Sequence, residues 1–367
     1  MRMNSVLVVG AGPVGLTAAL ELKRRNIDVR IIEERLHPSS ESRALGINPR
    51  TLDILEASGV AGHILSEGIR INRARLMSRG RSIGTIKFSA IEHRYPFMVA
   101  LPQARTEVLL EDALRDLGVH VERGVRFEAN VGSAEAPVAR VVVSGATETI
   151  ACTHLLGADG PHSLVRESAG IAFEGHAFEH AWSLMDAEVD WPYPPDEACF
   201  MFTTKGNLFA LPVSHGIWRL VAPGQDIESA LPDRLVIKKV VWQSSFRIAH
   251  KLAATFGVGN VFLAGDSAHV HSPAGARGMN GGIEDAATFA WLLSRGELDR
   301  YDVLRRSAAK NVLAQVENQT RQAQETGAAF AGLREILGRV LLRLPIVQDY
   351  AARFVTAQDT PQPEWLR

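Results

Sequence analysis

The chain has 367 residues, 46% hydrophobic and 22% charged side chains, and a formal net charge of −1, the composition of a soluble globular protein with room for two or three domains. Its basic residues are interleaved with acids, which argues against a nucleic-acid surface, and no apolar run reaches the length of a membrane span. The two cysteines, Cys152 and Cys199, form no CxxC and no zinc-type cluster, so they read as buried small hydrophobes in a reducing cytoplasm.

In chain order, Ser5 to Val9 is a continuous apolar run with β-branched character and predicts a buried parallel strand. The glycine turn arrives at residue 10, too early for a signal peptide. A helix is predicted from about Pro13 to Arg25, followed by a second strand over Val29 to Glu33. Strand, glycine turn, helix and strand within about 30 residues make a βαβ unit. Thr51 to Ala57 and Thr106 to Leu117 are predicted helical.

From about Ile69 to Val99 the pattern changes to short alternating segments, Arg73 to Ser78 and Ser82 to Phe88. The same style returns from about Phe178 to Phe246, with strands expected over Ala181 to Val189, Ala198 to Thr203, Asn207 to Pro212 and Ile217 to Val221. The expected fold class is therefore α/β. A Rossmann-like, discontinuous dinucleotide-binding domain (1–70, 100–177 and 255–367, ending in helices) carries an inserted β-rich domain (71–99 and 178–254). An apolar strand over Val261 to Ala264 resumes the first domain, and most of the chain from Gly282 onward reads as helix. Pro361-Gln362-Pro363 marks a loose tail.

Three glycine–aspartate signatures carry the chemistry. The first is Gly10-Ala11-Gly12-Pro13-Val14-Gly15. Gly10 supplies the sharp turn, Gly12 lets backbone approach a pyrophosphate, and Gly15 lets helix pack on strand. The helix N-terminus, with unpaired N–H groups and about half a positive charge, suits phosphates. Glu33, 18 residues after Gly15, stands where a carboxylate accepts hydrogen bonds from an adenosine ribose, and Glu34 beside it could do the same. This motif alone leaves FAD and NAD(P) nearly tied.

The second signature is Gly157-Ala158-Asp159-Gly160 after the apolar Leu155-Leu156. The third is Gly265-Asp266, followed by His269 and by Pro273-Ala274-Gly275-Ala276-Arg277-Gly278-Met279-Asn280-Gly281-Gly282. Asp266 at a strand end can accept from a ribityl hydroxyl. Gly275 to Asn280 is expected to form a loop of little bulk, against which an isoalloxazine edge can lie. A helix from about Gly281 would aim its positive end at the negative charge of a reduced flavin.

With these residues in hand, the chain resembles the single-component, class A flavoprotein aromatic hydroxylases, the group that includes p-hydroxybenzoate hydroxylase and phenol hydroxylase. The matching residues are Gly10 to Gly15, Glu33, the segment Ser42 to Thr51, Pro102-Gln103, Gly157 to Gly160 with Ser163 and Arg166, and Gly265 to Gly282. They span the whole flavin domain, roughly 60% of the chain. The resemblance implies FAD as cofactor and NADPH or NADH as a transient electron donor without a domain of its own. It implies that Arg43 contacts the FAD phosphate or ribose region, Gln103 the ribityl–phosphate part, Asp159 both FAD and NADPH, and Asp266 the ribityl chain. Pro273 would sit near the reactive C4a edge, with Met279 and Asn280 meeting the ring mostly through backbone. Glu34 stands where many members carry arginine. The chain ends without the thioredoxin-like domain of the phenol hydroxylase branch, which favours the compact branch and leaves oligomerisation open.

The implied reaction is hydroxylation of an aromatic or polycyclic substrate by NAD(P)H and O2 through a flavin C4a-hydroperoxide. Phe200, Phe202, Phe209 and Trp218 either form the inserted sheet's own core or hold a flat substrate over the flavin, and Arg219 pairs with a substrate anion or within the protein. An isoprenoid-type reductase without oxygen insertion is the alternative. A halogenase lacks its Trp-x-Trp-x-Ile-Pro run here, and a non-enzymatic flavin sensor lacks a DNA-binding appendage. His269 and His271 have metal-like spacing but no further ligands in sequence, so no metal is expected. Ser163 and Ser267 lack a nucleophile turn of the GxSxG type. Arg24-Arg25 and Arg305-Arg306 read as solvated helix faces.

Overall fold

The computed structural model describes residues 5–38, 44–78, 80–203, 206–224, 227–232, 235–272, 276–324 and 341–366. Arg43, Pro273 and Gly275 lie outside these residues, as do Leu333, Ile336, Leu337 and Val340 of the expected C-terminal helices.

Ser5–Val9 lies in the middle of a six-stranded sheet. It pairs in parallel with Asp28–Glu33 on one side and His154–Gly157 on the other. Val261–Leu263 and Val121–Arg123 extend the parallel set, and Gly257–Val258 adds an antiparallel edge. Val6, Leu7 and Val8 are all buried, so both faces of the strand are covered, as a parallel sheet requires. Fully burying each such side chain stabilises the fold by about 1.5–3 kcal/mol. The helix Pro13–Arg24 begins with proline in its first turn and turns Leu16, Ala19, Leu20 and Leu22 inward. It packs on the helices Gln103–Asp116 and Arg277–Arg295.

An eight-stranded sheet takes strands from three stretches of chain. Its order is His269–Val270, Ile237–Ala253, Phe173–Val189, Ile217–Pro223, Gly206–Ser214, Glu197–Thr203, Arg73–Ser78 and Arg81–Lys87. All neighbours are antiparallel except Glu197–Thr203 with Arg73–Ser78. Period-two alternation sorts the side chains. On one face Met185, Ala187, Cys199, Met201, Leu208, Trp218 and Leu220 form a separate core with Ile227 and Leu235. On the other, Leu76, Ala198, Phe200 and Leu211 pack with Leu45, Phe88 and Met98.

Several expectations are revised. The strand expected to begin at Ala181 begins at Phe173 and runs 17 residues, bent by irregular pairing between Ala177 and Ala181. A three-stranded antiparallel sheet, Val125–Asn130, Val138–Val143 and Ala146–Ala151, was not anticipated. Its hairpin closes on Ser144 and Gly145, both at positive φ, the two-residue turn whose twist suits paired strands. The tail is tied down. Arg50 donates to Thr360, Arg277 to Asp359 and Arg300 to Glu364. No helix among the described residues is long and apolar enough to cross a membrane.

Candidate FAD and substrate site

The three glycine turns meet at the carboxyl ends of the parallel strands. Gly10 N–H donates to Ile32 O, Ala158 N–H to Val9 O, and Ala264 N–H to Gly157 O. Ser267 Oγ donates to Gly157 O at 2.7 Å, and Arg166 Nη1 to Ser267 O at 3.0 Å, joining the second turn to the third. The first and third join through Val14. A Cβ on Gly265 would lie 2.8 Å from Val14 Cγ2, and one on Gly282 would lie 2.5 Å from the same atom. Gly15 cannot carry a Cβ either, since it would fall 1.9 Å from Gly10 O. At Gly12 a Cβ would meet nothing within 4 Å, because this residue faces open cavity.

That cavity measures about 2480 Å³, more than twice the roughly 300–1,000 Å³ of an ordinary ligand pocket, and so has room for a dinucleotide and a second molecule. Gly10, Gly12, Pro13, Val14, Glu33, Glu34, Gln103, Asp159, Asp266, Gly278 and Met279 all line it. Gly15, Gly265 and Asn280 stand behind the wall and shape it. Asn280 accepts from Asn48 N at 3.1 Å and Thr51 Oγ1 at 2.6 Å, and donates to Gly46 O at 2.8 Å. Its side chain is thus a joint between segments, leaving only backbone for a cofactor. The helix expected from about Gly281 begins at Arg277, so Gly278, Met279 and Asn280 form its first turn and are not loop.

The donors and acceptors fit FAD. Glu33 Oε2 accepts from Ala11 N at 2.8 Å, and Oε1 from Arg35 Nε at 2.8 Å. Burial opposes ionisation of Glu33, but the Arg35 hydrogen bonds and the Ala11 N–H outweigh it and hold the carboxyl below its ordinary value. Gln103 Oε1 accepts from Ala44 N at 3.2 Å and its amide donates to Glu107 at 2.8 Å, which presents it to the cavity. Asp159 Oδ2 accepts from Val165 N at 3.2 Å, while Oδ1 is buried without a protein partner. Burial pushes this carboxyl up, against the Ser163 hydroxyl and the Val165 N–H. An acceptor left over inside the cradle, a glycine facing open space and a helix N-terminus beside it form the donor and acceptor set that a ribose–pyrophosphate needs.

The other wall is the eight-stranded sheet, which contributes Trp182, Leu184, Phe200, Phe202, Phe209, Leu211 and Trp242. Phe200 meets Phe209 edge-on with ring centroids 5.1 Å apart, and Trp182 stacks on Phe209. Trp218 lies on the opposite face, stacked on Trp191 at 4.0 Å, so the aromatic alternation divides between the sheet's own core and the cavity. Arg219 lines the cavity, but its Nε and Nη2 each donate to Asp186 at 2.8 Å.

Sequence reasoning missed the polar cluster behind the third turn. Asp285, fully buried, accepts from Gly265 N at 3.0 Å, His269 Nε2 at 2.7 Å and Arg305 Nε at 2.6 Å. Burial alone would raise its pKa, but Arg305 and His269 hold it below the ordinary value. Arg305 also pairs with Glu284, which binds Arg50, and Arg306 donates to Ala253 O. The expected solvated face at Arg305-Arg306 is therefore incorrect; helix spacing could not show that an acidic pair from another helix lies opposite. His269 and His271 lie nearly parallel with ring centres 6.1 Å apart. Burial, with His269 beside it, pushes His271 down to about 4. Both cysteines are buried, and burial pushes Cys152 up to about 11 and Cys199 to about 12.

Residues 3–325 match the FAD binding domain family. The 6-methylpretetramide 4-monooxygenase of Streptomyces rimosus is 33% identical over 92% of this chain, which spans 64% of the length of that curated relative. The anhydrotetracycline hydroxylase OxyS of Streptomyces rimosus is 27% identical, with a TM-score of 0.82 over 98% of this chain and 77% of that one. The p-nitrophenol 4-monooxygenase of Pseudomonas putida, at 22% identity, shares the fold with a TM-score of 0.83 over 95% of this chain and 98% of its own. With three glycine turns converging on a dinucleotide-sized cavity and this match over most of its length, the chain belongs to the FAD-dependent aromatic hydroxylase family, built on its FAD binding domain.

Proposed function

We propose that the protein is an FAD-dependent monooxygenase that uses NAD(P)H and O2 to hydroxylate an aromatic or polycyclic compound. The observation that carries this reading is a single cavity with two unlike walls. One holds the dinucleotide-binding turns and the other an apolar, aromatic sheet face. Bound FAD would supply the redox and oxygen-transfer chemistry. The chain supplies binding, orientation and dryness.

In this reading the first turns of Pro13–Arg24, with Gly12, hold the pyrophosphate, and Glu33 accepts from the adenosine ribose in place of Arg35. Gln103, Asp159 and Asp266 hold the ribityl–phosphate part. The N-terminus of Arg277–Arg295, through Gly278 and Met279, faces the ring system and favours negative charge there. Trp182, Phe200, Phe202 and Phe209 position a flat substrate and exclude water that would divert oxygen transfer. Arg43, Pro273 and Gly275 keep their family roles as part of the proposal. We assign residues 1–70, 100–177 and 255–367 to the FAD part and 71–99 and 178–254 to the substrate part, and place the protein in the cytoplasm on its unpaired, buried cysteines.

The relatives named above are monooxygenases and hydroxylases, which leaves the isoprenoid-type reductase without support. The test is NAD(P)H oxidation by FAD-loaded protein across phenols and polycyclic phenols, with and without O2. Substrate-stimulated, O2-dependent oxidation and a product heavier by one oxygen atom are expected. Anaerobic turnover to a reduced alkene would overturn the reading.

A further inference from the structure

The substrate wall carries a charge that its own neighbour neutralises. Among the described residues that line the cavity beside Trp182, Phe200 and Phe209, Arg219 is the buried cation, at 2% exposure. Arg247 is exposed, and Lys251 is half-buried against Phe173, which Arg166 also covers. Arg219 is therefore the cation that an anionic substrate seated among these aromatic side chains would meet. Its guanidinium fork is already committed: Nε to Asp186 Oδ1 and Nη2 to Oδ2, both at 2.8 Å.

The sheet fixes that pairing. Asp186 stands opposite Arg219 on the neighbouring strand and opposite Trp242 on the other side, and Leu211 stands beyond Arg219. Leu211, Arg219, Asp186 and Trp242 thus form one row across four strands, with the guanidinium 5.6 Å from the Trp242 ring centre. Directly opposed residues are held side by side by the ladder, so the ion pair costs little further ordering. A bidentate pair of this kind uses the Nε–Nη2 edge of the guanidinium, a donor fork that a substrate carboxylate would need.

Resting on the function proposed above, we propose that the site selects flat aromatic substrates without a carboxylate, and that Asp186 is the residue that excludes the anion. A carboxylated ring entering beside Arg219 meets a fork that Asp186 already fills. A neutral ring meets a neutralised pair with aromatic faces around it. A carboxylate that would be desolvated there without a free partner is refused in the ordinary way a site discriminates within a matched pair of ligands.

The test uses matched probes with the FAD-loaded protein. Chrysophanol and rhein share a polycyclic frame, and para-cresol and para-hydroxybenzoate a single ring; each pair differs by a methyl against a carboxylate. Dissociation constants are read by quenching of tryptophan fluorescence. Wild type is expected to bind the methyl member at least tenfold more tightly in any pair that binds. Asp186→Asn is expected to strengthen the carboxylated member at least tenfold, with less than threefold change for its partner. Equal or tighter wild-type binding of the carboxylated member overturns the inference, as does an unchanged ratio in a folded Asp186→Asn. If that variant fails to retain FAD, the wild-type ratios decide. Failure of all four probes to bind overturns the aromatic-substrate reading itself, a result distinct from a reversed preference.

Discussion

Gly282→Ala tests how the first and third turns are joined. In a solvent-facing helix, replacing glycine by alanine stabilises by about 1 kcal/mol. Here the new Cβ would lie 2.5 Å from Val14 Cγ2 and 3.0 Å from Gly265 Cα. Val14 is β-branched and stiff at its first side-chain torsion, and the second neighbour is backbone, so the clash is not relieved by swinging a flexible tip. Overpacking of this kind costs about 1–3 kcal/mol. The balance is a variant between neutral and about 2 kcal/mol less stable by denaturant unfolding. The displaced atoms belong to the Gly265–Asp266 turn, so FAD binding, titrated by quenching of flavin fluorescence, is expected to weaken tenfold or more. Val14→Ala in the same chain removes the obstructing methyls and recovers most of both losses. A Gly282→Ala protein about 1 kcal/mol more stable than wild type, with unchanged FAD affinity, would refute the close packing argued for this joint.

Four further outcomes are expected. Glu33→Gln weakens FAD binding about tenfold. Because the Glu33 carboxyl is held below its ordinary value of about 4.5, its stabilisation is complete above that pH and lost as pH falls through the lower folded value, and the variant's unfolding profile lacks this acid limb. Asp285→Ala leaves His269 buried without its carboxylate and Arg305 with Glu284 alone, and costs about 3 kcal/mol in denaturant unfolding. His271, held near 4, stays neutral in the folded protein while its unfolded form takes up a proton. Stability therefore falls as pH drops from about 6.5 towards 4, and His271→Asn shows a smaller drop in melting temperature between pH 7 and pH 5. Phe200→Ala with Phe209→Ala weakens binding of aromatic probes at least tenfold while leaving FAD affinity within threefold.

The dinucleotide half was legible because its constraints are local. A strand, a tight glycine turn and a helix N-terminus must follow one another in sequence, and Gly10 to Gly15 with Glu33 display all of them. What escaped depends on residues distant in sequence. The helix at Arg277 opens on Gly278, Asn280, Gly281 and Gly282, poor helix formers that read as loop. It forms there because Arg277 is held by Asp359, and Asn280 by Gly46, Asn48 and Thr51. Arg305 read as solvated because nothing near it in sequence announces Asp285 and Glu284. The hairpin around Ser144 and Gly145 did carry a signal, the alternating segment Val138 to Val143 before a glycine. The aromatic set was ambiguous because period two puts residues on two faces without saying which face meets the cavity.

His269–Val270 has two attachments. It leaves the Gly265–Asp266 turn, anchored behind by Asp285, and adds as an edge strand to the large sheet through Leu252 and Lys251. The aromatic roof and the flavin floor therefore share a piece of main chain only three residues past Asp266. A ligand that shifts the roof would either carry this edge along or break its pairing, so the two compartments are joined by main chain as well as by packing. Under the proposed oxygen chemistry, where activation in an empty chamber wastes reductant, such a tether would tie readiness of the cofactor to arrival of the compound to be oxidised.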